Sequence, residues 1–220
     1  MQLAAVLLAR VLGFIEVSEL NPKGKVFFPD LTAKIIERFK FQGYPQKLED
    51  FDAQKGVNFN SGTWDGVNVD KLTIFWNGIL LDTQSSTDDS ERILYDSLSW
   101  VRDEFGLRYD PSKVKRKRHV SHLAFYSDAP MTGTGGAIQE LCQQVSKRVE
   151  EIMGKPISYI PTELTVDFER QGTIPFAPFK IQRRVETPFA ENKYFSEAPF
   201  PTSVHIEILE RFEHSLLQKE

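Results

Sequence analysis

Lys71-Leu72-Thr73-Ile74-Phe75-Trp76-Asn77-Gly78-Ile79-Leu80-Leu81 carries the pattern of a β-hairpin. Leu72, Ile74 and Trp76 alternate with Thr73 and Phe75, the two-residue period of a strand with one face buried. Asn77-Gly78 is the pair that best tolerates the positive φ angles of a type I′ turn, and Ile79-Leu80-Leu81 returns as the partner strand. The following run, residues 82–91, is crowded with side-chain oxygens that can cap a helix start. Leu94, Leu98, Val101 and Phe105 then fall on one helical stripe.

On the N-terminal side, residues 3–17 are apolar at nearly every position, which suits a strand inside a sheet. Arg10 interrupts this run and Glu16 closes it, unlike a cleavable leader. Asn21-Pro22-Lys23-Gly24 predicts a turn, and Leu31, Ile35 and Phe39 predict a helix over 29–41. Residues 42–70 read as a long irregular connection. Beyond the central helix, a basic connector over 111–118 leads to a strand over 119–127. Ile138, Leu141, Cys142, Val145, Val149, Ile152 and Met153 keep helical spacing until Gly154, and place Cys142 as a core thiol. Strands are expected over 163–170 and 176–186, a Pro- and Phe-rich loop over 187–201, and a C-terminal helix capped by Thr202.

The implied class is α+β: a mixed, mostly antiparallel sheet with helices mainly on one face. The expectation is a single domain over 1–220, with any subdivision near 110–130. Hydrophobic residues make up 40% and charged residues 26% of the chain, which argues against wholesale disorder. A net charge of −4 argues against a chain devoted to nucleic acid. One cysteine excludes an intrachain disulfide and points to a reducing, cytoplasmic setting. No apolar run reaches the roughly 18 residues of a membrane span, so no membrane partner is expected.

Four groups of residues are candidates for function. Asp82, Asp88 and Asp89 could offer oxygens to a hard cation. Ile79-Leu80-Leu81-Asp82-Thr83 is faintly similar to the strand-end aspartate of haloacid-dehalogenase-like phosphatases, but their second aspartate is replaced here by Gln84. Gly133, Gly135 and Gly136 precede a helix, where free N–H groups can hold an anion, yet neither the dinucleotide fingerprint nor the P-loop is complete. Lys113, Lys115, Arg116, Lys117 and Arg118, followed by Phe125 and Tyr126, suggest phosphate contacts beside stacking aromatics. Phe189, Tyr194, Phe195 and Phe200, held by prolines, have the composition of a contact surface.

His119 and His122 point to opposite faces of a strand, so no zinc site is expected, and no cofactor motif is complete. The preferred reading is a binding or assembly subunit without chemistry of its own, acting through the aromatic-proline loop 187–201 and the charged surface, and partnered by another protein or a second copy. A nucleic-acid-binding module using 113–118 is the second reading. A hydrolase or transferase of phosphorylated substrates, using Asp82 and Asp88 or the 133–136 loop, is the third.

Overall fold

The computed structural model describes residues 1–133, 135–167 and 177–218, and the chain divides into two compact units. The larger comprises Val6–Ser121 with Phe200–Thr202; the smaller comprises Met1–Ala5, His122–Pro199 and Ser203–Glu220. Among the described residues, no helix is long and apolar enough to cross a membrane.

The larger unit takes most of β1 (Gln2–Phe14), the single turn α1 (Val17–Leu20) and α2 (Phe28–Phe39). β2 (Val57–Trp64), β3 (Val67–Phe75), β4 (Gly78–Thr83), α3 (Thr87–Phe105) and the first half of β5 (Arg116–Tyr126) complete it. Its strands lie in the order β2-β3-β4-β1-β5, with β2–β3, β3–β4 and β4–β1 antiparallel. Leu31, Ile35 and Phe39 of α2 share a core with Ile93, Leu94, Leu98 and Val101 of α3. Leu72 and Leu81 are paired across β3 and β4, as are Ile74 and Ile79, and all four turn toward those helices. The α+β class and the antiparallel pairing are thus as the sequence implies.

The hairpin turn sits one residue earlier than expected. Phe75 pairs with Gly78, so Trp76 and Asn77 make the turn, and neither Asn77 nor Gly78 takes a positive φ. Neighbouring backbone holds it instead: Val17 N–H donates to the Trp76 carbonyl at 3.1 Å and Ile15 N–H to that of Asn77 at 3.2 Å. Gly78 answers a different need, since a Cβ there would lie 3.1 Å from the Gly13 carbonyl oxygen.

Residues 42–70 are not an irregular connection, because they contain β2 and the start of β3. Val57, Phe59, Gly62 and Trp64 are the inward positions, so the alternation changes phase at Ser61, whose φ is +56°. Gly62 is required where it stands: a Cβ would come 2.4 Å from the Phe41 ring. Trp64, Phe39, Phe41 and Phe59 then contact one another in that order, with centroids 4.6–5.5 Å apart and the Phe39–Phe41 pair stacked.

α3 starts as its polar prelude implies. Ser86 caps it, accepting from the Asp89 N–H at 3.0 Å, and Gly106 ends it at φ +67°. A second device is hidden from sequence. Thr87 N–H donates to the Thr202 hydroxyl at 3.1 Å, while Thr202 N–H donates to the Thr87 hydroxyl at 2.8 Å. Both threonines are buried, so removing one hydroxyl orphans a donor. Thr202→Val should cost about 1–2 kcal/mol in urea unfolding, and Thr202→Ser should be nearly neutral.

The smaller unit holds the end of β5, α4 (Gly136–Met153), β6 (Glu163–Val166), β7 (Phe179–Arg183), β8 (Lys193–Ala198) and most of α5 (Thr202–Leu217). Its strands follow the order β5-β8-β7-β6, with β6–β7 and β7–β8 antiparallel. The expected strands over 163–170 and 176–186 are shorter, and residues 168–176 lie outside the described residues. The expected loop over 187–201 is corrected more deeply. It contains a single 3₁₀ turn, Phe189–Glu191, and then β8, in which Tyr194, Ser196 and Ala198 are the buried alternate positions. Prolines at 188 and 199 flank that strand without entering it.

Candidate functional site

Each group of candidates meets a partner within its own unit. Asp82 on β4 lies opposite Arg10 on β1 in the antiparallel register. The guanidinium Nε donates to Oδ1 and Nη2 to Oδ2, both at 2.7 Å, and Asp82 is buried. A carboxylate so engaged already has its charge balanced by the guanidinium and one bond accepted at each oxygen. Asp88 and Asp89 lie in the first turn of α3, where a negative charge complements the helix dipole. The Ser85 hydroxyl, chiefly, holds the Asp89 carboxyl below its ordinary range against the opposing effect of burial, with Ser86 and Arg92 adding to it. Among the described residues, no cluster of three His, Cys, Asp or Glu could hold a metal. The acidic turn is therefore a helix start.

The three lysines of the basic run are paired with carboxylates. Lys113 and Lys115 face Glu19 at 3.3 and 3.8 Å, and Lys117 pairs with Glu91. Arg116 and Arg118 lie over the Phe14 ring at 5.1 and 5.4 Å. Burial raises the Glu91 carboxyl, but bonds from Lys117 and His119 outweigh it and hold the group below its ordinary value. Five like charges that repel in sequence are thus dispersed over two carboxylates and an aromatic face. Lys115, 60% exposed, keeps the most open side chain of the three lysines.

At the glycine loop, Gly135 caps α4 at φ +92°, and its carbonyl accepts from the Ile138 and Gln139 N–H groups. Gly133 N–H closes a turn on the Pro130 carbonyl at 2.9 Å. A Cβ on Gly135 or Gly136 would meet nothing within 4 Å. The glycines make the turn into the helix, while Thr134 lies outside the described residues. This loop belongs to the smaller unit and the basic run to the larger.

The aromatic candidates are mostly interior. Tyr194 is fully buried, stacks on Phe125 at 5.6 Å and accepts from the Met131 N–H at 3.2 Å. Phe195 is half-buried, edge-on to His122 at 5.4 Å. Phe200 is half-buried, and its carbonyl accepts from the Ser121 hydroxyl. The side chain of Phe189 lies outside the described residues. Tyr194 cannot be a contact residue, because strand alternation sends it inward.

His205 is the one histidine with no exposed surface, and its Nε2 lies 2.8 Å from the Ser196 hydroxyl. That hydroxyl donates to the Lys180 carbonyl at 2.7 Å. The shared atom then accepts from Nε2–H, so the imidazole is not positioned as a base for Ser196. Both side chains are buried, and the pair is structural.

The feature that spacing alone misplaced is α4. Its apolar stripe is the clearest in the sequence, yet the helix has no buried residue. Leu141 is 58% exposed and Ile152 80%, with Ile138 and Met153 also open to solvent. Cys142 is only half-buried, so it is not the core thiol expected. Ser146 fixes the chain beside the helix by accepting from the Tyr159 N–H and donating to the Cys142 carbonyl, both at 2.7 Å. Ile157, Tyr159 and Ile160 of that segment are themselves exposed. No protein-family model, curated protein or solved structure matches this chain. The reading of its function therefore rests on geometry. Hydrophobic spacing can identify a face, but it cannot say whether the face is covered from within or left open.

Proposed function

We propose that the protein is a binding and assembly subunit, without chemistry of its own, that pairs with a second copy through α4. The observation carrying this reading is the apolar stripe Ile138, Leu141, Val145, Val149, Ile152, in which Ile138, Leu141 and Ile152 are exposed and Val145 and Val149 are half-buried. Its intervals are three, four, four and three residues, so it reads the same from either end. Two such helices related by a two-fold axis would set Ile138 against Ile152, Leu141 against Val149, and Val145 against itself. An isologous contact needs this self-complementarity. Glu140, Lys147 and Glu151 project from the opposite side of the helix, clear of the seam.

Energetics favour the same reading. An isolated helix of this length is marginal in water, and most helical stability in proteins comes from burying an apolar face. One helix pair is a small interface, so micromolar or weaker association is expected. Sedimentation velocity over a concentration series should show a monomer–dimer equilibrium. Val145→Glu, which sets two like charges on the axis, should shift it to monomer while leaving helix content unchanged. In a Cys142→Ser/Val145→Cys chain, mild oxidation should trap a dimer through residue 145. A monomer at every concentration, or failure of the 145 cross-link in a dimer that forms, would count against the proposal.

A further inference from the structure

In the larger unit, α2 and α3 do not close completely over the sheet. A cavity of about 260 Å³ remains between them, floored by Leu72 and Ile74 of β3 and walled by Ile35 of α2 and Leu98 of α3. Its mouth lies beside the 21–27 turn, where Ser18 is exposed and Asn21 and Val26 are half-buried. No charged side chain lines it. Two of the polar side chains that line it, Asn21 and Ser97, are already engaged. Asn21 donates to the Val26 carbonyl at 2.8 Å and accepts from its N–H at 3.3 Å, and Ser97 donates to the Leu94 carbonyl at 2.9 Å.

We infer that this cavity is a binding site for a small, uncharged apolar molecule. The lining sets the ligand class. With no charged side chain inside to balance it, a charged group would lose hydration that the lining does not replace. Size sets the scale. A dry apolar cavity of about 150 Å³ accommodates benzene, so this one suits two fused rings or a short hydrocarbon chain. It lies below the roughly 300–1,000 Å³ of pockets for drug-sized ligands. The inference is independent of α4, since every lining residue belongs to the larger unit.

Trp100 lines the cavity and makes an edge contact with Trp64 at 6.2 Å, so tryptophan emission should report occupancy. The full chain titrated with the neutral probe naphthalene should show saturable one-site binding. The sulfonated analogue naphthalene-1-sulfonate should bind about tenfold more weakly or not at all. Val101→Phe, which fills the cavity, should weaken the neutral probe at least about tenfold while preserving the thermal midpoint. Ser97→Phe, filling it from the edge of α3, serves as an independent variant should the first fold poorly. Val145→Glu should leave the affinity unchanged. Non-saturable binding, equal affinity in a folded filled variant, or loss of binding in Val145→Glu would overturn the assignment.

Discussion

Replacing Asp82 by alanine is expected to lower stability by about 3 kcal/mol, the largest effect of any single polar substitution in the larger unit. The carboxylate is buried, and both its oxygens receive 2.7 Å bonds from Arg10. Removing one member of such a pair abolishes two charge-assisted bonds and leaves the other charge without its partner. Arg10 keeps a side-chain exposure of 36%, so the freed guanidinium can recover some hydration, and the cost stays near the lower end for buried pairs. Urea unfolding should register it as a lower midpoint with an unchanged slope. Arg10→Met/Asp82→Leu should recover most of the loss, because apolar groups of similar volume leave no charge behind. Arg148→Ala, whose partner Glu151 sits on the exposed face of α4, provides the contrast at under about 1 kcal/mol. A loss at Asp82 no larger than at Arg148 would mean the buried pair contributes little.

Asp82 also shows why the site was harder to read than the fold. The sequence places an aspartate at a strand end before a polar turn, which is equally suited to holding a cation or an arginine. What separates the two is the register that sets Arg10 opposite, and residues 72 positions apart are not brought together by any local pattern. The basic run is the same case. Glu19 and Glu91, its counter-charges, lie in α1 and α3, far away in sequence. Local features were legible where a local cause acts: the polar prelude that caps α3 and the Gly154 stop of α4 follow from neighbours within one or two turns.

The strands of the larger unit were most legible where large apolar residues carry them. β4 and β1 announce themselves by Val, Ile and Leu. β2 does not, because Ser61 changes the phase and Gly62 occupies an inward position against the Phe41 ring. β8 is concealed differently. Its inward positions are Tyr194, Ser196 and Ala198, while the conspicuous Phe195 stands on the other face. Ser196 is tolerated in the interior because the Lys180 carbonyl and His205 satisfy it, and a partner of that kind leaves no trace in the local sequence.

That same interior pair makes acid the most informative perturbation of the smaller unit. Burial, with a smaller contribution from nearby His122, pushes the His205 imidazole down to about 4. In the unfolded chain it titrates near 6.5. Between these values the unfolded state holds a proton that the native state does not, so stability falls as pH falls through that interval. Going from pH 7 to pH 5 should therefore cost about 2 kcal/mol through this residue alone. Glu213, held below its ordinary value because bonds from the Met1 amine, Ser127 and Asp128 outweigh the opposing effect of burial, loses its contribution only at lower pH. Glu91 behaves likewise, so both carboxylates leave the pH 5–7 window to the imidazoles. His205→Gln keeps an amide donor for Ser196 but cannot be protonated in this range. The difference between native chain and variant isolates His205 together with its interaction with His122. Urea midpoints at pH 7 and pH 5 should converge for the two proteins as acid erodes the native one. Parallel pH dependences would mean that His205 is not held neutral by burial.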